Sequence, residues 1–181
     1  MNKLAVIGLG NISNRHRRNL KTLYPNATVI AMSASGRVPE ELPSDSDTVV
    51  YNIDEVINLK PDMVIVASPA TLHAEHSIPL IKSGIPVLIE KPITASSSDA
   101  RKIIEAIKTY QTPVAVGYCL RYLPSSKIMK ETLQSNLIGN LYNVFVEVGQ
   151  YLPDWRDNKN YKQSVSASSK LGGGALLELS H

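Results

Sequence analysis

Two glycines near the start of the chain, Gly8 and Gly10, lie where an apolar run gives way to a helical pattern. The run Leu4–Ile7 is typical of a buried strand, and the helical pattern that follows begins near Ile12. In such a turn the first glycine permits the tight bend, the second lets an anion approach the backbone, and the helix aims its first N–H groups at that anion. We therefore predict a pyrophosphate cradle, with Gly8, Gly10, Asn11 and Ile12 as dinucleotide contacts.

The third small position of this pattern carries Ser13 instead of glycine. A serine still lets the helix lie close to the strand, so the motif is good but incomplete. A purely structural turn is the alternative. The same helix carries the basic group Arg15, His16, Arg17 and Arg18, which would either add positive potential near a phosphate or, as we expect for an outer helix face, be solvated.

The second predicted strand, Thr28–Met32, ends without the acidic residue that usually bonds the ribose hydroxyls of NAD. The first carboxylate beyond it is Glu40, whereas Ser33, Ser35 and Arg37 lie where a 2′-phosphate would be. Because arginine holds phosphate by a planar fork, these residues predict NADP as the cofactor, with NAD as the alternative. A polar loop with a solvated Arg37 is the other interpretation.

Glu90, Lys91 and Pro92 follow the fifth predicted strand, residues 86–89, at the sheet edge where open α/β sheets bind ligands. An ammonium there can bond a substrate hydroxyl and stabilise the alkoxide that develops from it. We predict that Lys91 is catalytic and binds substrate and cofactor, and that Glu90 contacts the cofactor and holds Lys91 in place. A solvated Glu–Lys pair is the alternative.

Strands alternate with helices along the first two thirds of the chain, which predicts an α/β fold with a doubly wound parallel (Rossmann) sheet over residues 1–120. Beyond it we predict a helix over 125–135, a strand over 143–148, a polar loop over 150–170 and a glycine turn into an apolar helix. The predicted strands are residues 3–7, 28–32, 49–51, 63–67, 86–89 and 114–116, and the predicted helices among them are 13–24, 54–59, 71–83 and 97–110. We expect caps near Asn52 and at Ser96–Asp99 for the second and fourth of these helices, and mostly loop over residues 36–47, which contain two prolines and many polar residues.

Composition excludes several classes of function. The net charge of +3 is too small to indicate a nucleic-acid partner, and no apolar run is long enough for a membrane span. With 43% hydrophobic residues the chain can bury a core, and we expect a cytoplasmic protein. Cys119 is the single cysteine, so it forms no intrachain disulfide, and we expect a buried or half-buried thiol and no metal site.

Several segments together resemble the Gfo/Idh/MocA family of NAD(P)-dependent oxidoreductases. The segments that carry the resemblance are Gly8–Gly10 with His16, Ala67–His73, Glu90–Pro92, Gly117–Tyr122, and the glycines at 172–174 with His181. The resemblance implies a dinucleotide-binding domain followed by an α+β domain that lines the substrate pocket and often forms an oligomer interface. Since members are longer than this chain, residues 121–181 would be the beginning of that second domain.

The resemblance also implies further site residues. Ser68, Pro69, His73 and Arg121 would contact the cofactor, and His181 would be the proton donor and acceptor, as an imidazole suits. Tyr151, Trp155 and Arg156 lie in the polar loop, where an aromatic beside an arginine suits contact with a sugar or a nicotinamide, although a packing anchor is the alternative.

We therefore expect an NADP-preferring oxidoreductase that transfers hydride between the nicotinamide and a secondary alcohol or ketone of a sugar derivative, with surface-polysaccharide sugars as a loose indication. We expect a homo-oligomer, associated through the segment after Tyr122. The alternatives are a non-enzymatic regulator that senses the dinucleotide, and an inactive, truncated form of the enzyme.

Overall fold

Parallel strands form the centre of the protein. The computed structural model describes residues 1–155 and 160–179. Its strands are β1 Lys3–Ile7, β2 Thr28–Met32, β3 Thr48–Val50, β4 Met63–Val66, β5 Val87–Ile89 and β6 Val114–Val116. They form a six-stranded sheet in the order β3-β2-β1-β4-β5-β6, and every neighbouring pair is parallel. The chain order reverses between β1 and β4, so the predicted doubly wound Rossmann sheet is confirmed.

Helices connect the strands and cover the sheet. They are α1 Asn11–Leu23, α2 Ile53–Asn58, α3 His73–Lys82, α4 Ser97–Tyr110, α5 Pro124–Gln134 and α6 Ala175–Leu179. Short 3-10 turns are found at Ala70–Leu72, Cys119–Tyr122, Leu152–Trp155, Tyr161–Gln163, Val165–Ala167 and Ser169–Leu171. The second crossover, residues 33–47, contains no helix, as its prolines and polar residues predict.

The core lies on both faces of the sheet because consecutive side chains of a strand point to opposite sides. In β1, Leu4 and Val6 pack in a cluster with Leu20 of α1. Ala5 and Ile7 belong to the larger cluster on the other face. All four of these β1 residues are at most 1% exposed, which fixes β1 as the centre of the fold.

Side chains at the helix starts satisfy backbone donors as the sequence predicts. Asn52 precedes α2 and its Oδ1 accepts a hydrogen bond of 2.9 Å from the N–H of Glu55. Ser96 precedes α4 and its Oγ accepts one of 3.1 Å from the N–H of Asp99. Such caps stabilise a helix by about 1 kcal/mol each.

Helix α1 begins two residues earlier than the sequence pattern suggested. Gly10 is in an extended conformation, with φ −78° and ψ −178°, and acts as the N-cap, so Asn11 and Ile12 are already helical. The first N–H groups of a helix have no partner within it. They therefore lie directly after the glycine turn.

The predicted strand over residues 143–148 is wrong, since the structure shows irregular backbone there. No strand among the described residues pairs with it, and an isolated strand leaves its backbone groups without partners. Phe145 and Val146 are 84% and 80% exposed. The alternating pattern of the segment is typical of a strand, but no strand in the described part of the chain is paired with it.

Cys119 is exposed, and not buried as expected. It begins the 3-10 turn Cys119–Tyr122, all of whose residues are exposed. The described part of the segment predicted as a loop, residues 150–170, contains the last four of the 3-10 turns given above. Among the described residues no helix has the length and apolarity to cross a membrane, and no group of three or more His, Cys, Asp or Glu is arranged to hold a metal ion.

Candidate functional site

A cavity of about 790 Å³ opens at the carboxyl ends of β1, β2, β4 and β5. It lies where the strand order reverses, the place at which open α/β sheets bind their ligands. Residues from each of these strand ends line it, together with residues from the segment 165–178. Its lining residues are Gly8, Leu9, Gly10, Asn11, Ile12, Ser33, Ala34, Ser35, Arg37, Ala67, Ser68, Pro69, Ala70, Leu72, Glu90, Lys91, Pro92, Val165, Ser166, Leu171, Gly172 and Glu178.

The turn after β1 has the geometry of an anion cradle. Gly8 has a φ of +119°, and a Cβ there would come within 2.5 Å of the Ala67 carbonyl oxygen and 2.6 Å of Ser13 Oγ. Only glycine fits this close approach between β1, β4 and α1. A Cβ at Gly10 would meet no atom within 4 Å, so open space lies over the turn. This space, next to the first N–H groups of α1, fits the pyrophosphate of a dinucleotide.

Ser13 is fully buried, and its Oγ donates a hydrogen bond of 3.3 Å to the Ala67 carbonyl. The serine in the third position of the glycine pattern therefore serves close packing of the helix on the sheet. A larger side chain would separate α1 from β4.

The end of β2 brings two hydroxyls and a guanidinium to the cavity. Ser33 is buried, and its Oγ lies 3.3 Å from Ser35 Oγ. Arg37 is exposed at the same rim. Glu40, the first carboxylate after β2, lines a separate cavity of about 390 Å³. Consequently the part of the main cavity next to β2 holds donors and a positive charge.

The loop after β4 contributes Ser68 and Pro69 to the cavity. His73 is not among the described residues that line it. His73 is 1% exposed, its Nε2 lies 2.8 Å from the Ser68 carbonyl oxygen, and its Nδ1 lies 2.9 Å from that of Pro92. His73 thus connects the loop after β4 to the loop after β5. Its role in the structure is to hold these loops together, and it does not reach the cavity as predicted.

His76 lies one turn further along α3, and its Nδ1 is 2.9 Å from Ser68 Oγ. Burial lowers the pKa of this imidazole, which keeps it neutral. The hydroxyl and the carbonyl of Ser68 are therefore each held by a buried histidine.

Glu90 binds a different partner from the one expected. Its Oε1 lies 2.6 Å from His16 Nε2 on α1, and its Oε2 accepts a hydrogen bond of 3.1 Å from the backbone N–H of Lys91. Burial alone would raise the pKa of Glu90. His16, through its hydrogen bond and its charge, and the hydrogen bond from the Lys91 N–H outweigh this effect, so the pKa is lowered. Glu90 is consequently a buried carboxylate that fixes the backbone at Lys91, while the Lys91 ammonium is bound elsewhere.

The ammonium of Lys91 reaches across the cavity. Its Nζ donates a hydrogen bond of 3.0 Å to the backbone carbonyl of Glu178 in α6. The ammonium keeps two further hydrogens for other acceptors. Lys91 therefore lines the same cavity as the glycine turn and can donate to an oxygen of a bound ligand.

The segment 165–178 was missed as part of the site. Gly172 is buried with a φ of +80°, and a Cβ there would lie 3.2 Å from Cβ of Ala95 and 3.3 Å from that of Ala70. Val165, Ser166 and Leu171 also line the cavity. The glycine run at 172–174 was the sequence signal, because it allows this close approach.

Other predicted site residues are not brought to the cavity. Arg121 and Tyr151 are exposed and Trp155 is half-buried, and none of the three lines the cavity. Arg156 and His181 lie outside the described residues.

Comparison with known proteins agrees with this geometry. Residues 2–118 match the model of the oxidoreductase family with an NAD-binding Rossmann fold, Gfo/Idh/MocA. The chain is 31% identical over 180 residues to the rhizopine catabolism protein MocA of Rhizobium meliloti, covering 98% of this chain and 53% of that protein. It is 27% identical over 180 residues to glucose-6-phosphate 3-dehydrogenase of Bacillus subtilis, covering 95% and 51% respectively.

Among solved structures, the chain resembles scyllo-inositol dehydrogenase of Lactobacillus casei with bound NAD(H) and scyllo-inositol, with a TM-score of 0.68 and 23% identity. That match covers 77% of this chain and 43% of the dehydrogenase, and at this identity it shows the fold alone. The chain spans about half the length of the two relatives above.

The Glu90 contacts predict how stability depends on pH. Because the folded-state pKa of Glu90 lies below its ordinary value of 4.5, its contribution to folding is present above that value and is lost as the pH falls below it. We expect Glu90→Gln to lower the free energy of unfolding at pH 7 by about 1–2 kcal/mol, and the difference from wild type to shrink below the ordinary carboxyl pKa. Urea unfolding from pH 7 to pH 3 measures this. Glu131→Gln, at an exposed position of α5, is the matched control, and a loss for Glu90→Gln that stays constant with pH would contradict the assignment.

Proposed function

The chain belongs to the Gfo/Idh/MocA family of oxidoreductases, and from this premise we propose that it transfers hydride between NADP and a secondary alcohol or ketone of a sugar or cyclitol. The observation that carries the proposal is one cavity lined both by the glycine turn at Gly8–Gly10 and by Lys91. The first fits a dinucleotide pyrophosphate, and the second supplies a cation for a reacting oxygen. The named activities of the glucose-6-phosphate and inositol dehydrogenases support this class of substrate.

The turn and the first N–H groups of α1 would hold the pyrophosphate, and the loop after β2 would hold the adenosine end. The bound nicotinamide supplies or accepts the hydride. Ser68 and Pro69, in the loop after β4, line the cavity together with the loop after β2 and Lys91. The cofactor would therefore lie across the carboxyl edge of the sheet, with its reactive end toward β5.

Lys91 would donate from Nζ to the substrate oxygen that alternates between hydroxyl and carbonyl. A cation at that atom stabilises the negative charge that develops on the oxygen in the transition state. Its backbone is fixed by Glu90 and its ammonium is oriented by the Glu178 carbonyl, so little reorganisation is needed. His181 remains our proposed proton donor and acceptor on the resemblance to the family.

Our choice of NADP over NAD is supported by Ser33, Ser35 and Arg37, which line the cavity and offer donors and a positive charge where a 2′-phosphate would lie. Among the described residues that line the cavity beside β2, none is the carboxylate that usually binds the ribose of NAD. Glu40, which could have replaced it, lines the other cavity.

We also propose that the protein associates with copies of itself. The segment after Tyr122 supports this, since Tyr142, Phe145 and Val146 are all at least 80% exposed. Apolar surface of this kind marks interaction sites on folded proteins.

For cofactor preference, we expect NADPH to bind at least about tenfold more tightly than NADH, since a hydrogen bond to a charged group contributes about 1.5–3 kcal/mol. Arg37→Ala should weaken NADPH binding and leave NADH binding nearly unchanged. Isothermal calorimetry on wild type, Arg37→Ala and Lys127→Ala, an exposed cation on α5 removed as the charge control, measures both affinities. Equal affinities of wild type for NADPH and NADH would overturn the NADP assignment.

For catalysis, we expect Lys91→Ala to lower kcat about 10²–10³-fold, as for other groups that stabilise charge in the transition state. The Kd for NADPH should change little, because this contribution arises only as charge develops. The measurement is steady-state turnover with inositols and glucose 6-phosphate as substrates. It uses a form of the protein in which wild type shows dehydrogenase activity. Lys130→Ala, at an exposed position of α5, is the control. A folded Lys91→Ala variant with normal kcat would remove Lys91 from the mechanism.

A further inference from the structure

Arg17 is the largest fully buried side chain of the described residues, at 1% exposure. Its neighbours on α1, Arg15 and Arg18, are exposed. The expectation that all these cations would be solvated is therefore wrong for Arg17. Burying a guanidinium costs free energy of desolvation, so the groups that surround Arg17 must compensate for the lost water.

Three neutral oxygens bind the guanidinium. Nε donates to the Ser44 carbonyl at 2.8 Å, Nη1 donates to the Gly8 carbonyl at 3.3 Å, and Nη2 donates to Asn14 Oδ1. Arg17 thus joins the glycine turn to the second crossover.

The charge of Arg17 is not neutralised by contact. No ion pair joins it to a carboxylate in the described part of the chain, and Asp45 acts on it only through its field. Burial lowers the pKa of Arg17, although a guanidinium stays charged in proteins. A buried cation with only neutral partners stabilises a nearby anion more strongly than a solvated one can.

The bond to the Gly8 carbonyl also fixes the direction of the next N–H group. In a trans peptide the C=O of one residue and the N–H of the next point in opposite directions. Since the Gly8 carbonyl faces Arg17 beneath the turn, the N–H of Leu9 faces away from it, and Leu9 lines the cavity.

We propose that Arg17 is a positioning residue for the diphosphate of the dinucleotide. It holds the Gly8–Leu9 peptide with the Leu9 N–H toward the cavity, and it places a buried positive charge beneath the cradle. The inference rests on the proposed function, in which a dinucleotide diphosphate occupies that cradle.

Binding of NADPH to Arg17→Met tests the inference. We expect its Kd to rise at least about tenfold, because both an oriented donor and a charge are lost from the cradle. Arg17→Lys keeps the positive charge but lacks the planar guanidinium with its several N–H donors. Its Kd for NADPH should lie between those of Arg17→Met and wild type. Arg18→Met removes an exposed charge from the same helix and should leave the Kd within about twofold of wild type, as is usual for a solvated charge. A folded Arg17→Met variant with the wild-type Kd would overturn the inference.

A measurement on wild type keeps the test decisive if the Arg17 variants do not fold. In ¹⁵N-edited spectra, addition of NADPH should move the Leu9 amide resonance far more than that of Gly139, whose N–H donates to the Asn136 carbonyl in the turn that follows α5. A Leu9 resonance that moves no more than that of Gly139 would refute the inference. If wild type binds neither NADPH nor NADH, the proposed function fails as well, whereas failure of the inference alone leaves wild-type binding intact.

Discussion

The site depends on the close approach of β1, β4 and α1 at Gly8. There the glycine lies so near the Ala67 carbonyl and Ser13 Oγ that no side chain fits, and its φ of +119° is one that other residues rarely adopt. This contact sets α1 against the sheet at the point where the strand order reverses. The first turn of α1 then opens into the cavity, and the ends of β2 and β5 lie on either side of it.

Charges are distributed unevenly along this cavity. Arg17 and Arg37 place positive charge near the turn and the β2 end, where phosphates would bind. At the β5 end, the carboxylate of Glu90 is bound by His16 and by the Lys91 N–H, and the Lys91 ammonium donates to the Glu178 carbonyl instead of pairing with Glu90. In the proposed function, this arrangement would place the phosphates at one end of the cavity and the reacting oxygen of the substrate at the other.

Local patterns in the sequence predicted most of the fold and several of the residues that line the cavity. Apolar runs identified all six strands of the sheet, and Asn52 and Ser96 were recognised as caps because capping is a local interaction. Contacts distant in the chain were not predictable in this way. The Glu90–His16 pair joins residues 74 positions apart, and the burial of Arg17 follows from a crossover loop that folds over α1. The pattern at 143–148 predicted a strand, but a strand forms only where a neighbour supplies its hydrogen bonds.

A structure of the protein with NADPH tests the central claim most directly. The account predicts that the pyrophosphate accepts hydrogen bonds from backbone N–H groups at Leu9–Ile12, and that the 2′-phosphate lies within hydrogen-bond distance of Ser35 or Arg37. It also predicts the nicotinamide on the side of the cavity next to Lys91. NADPH bound away from the glycine turn, or in the reverse direction with its nicotinamide beside Arg37, would contradict it.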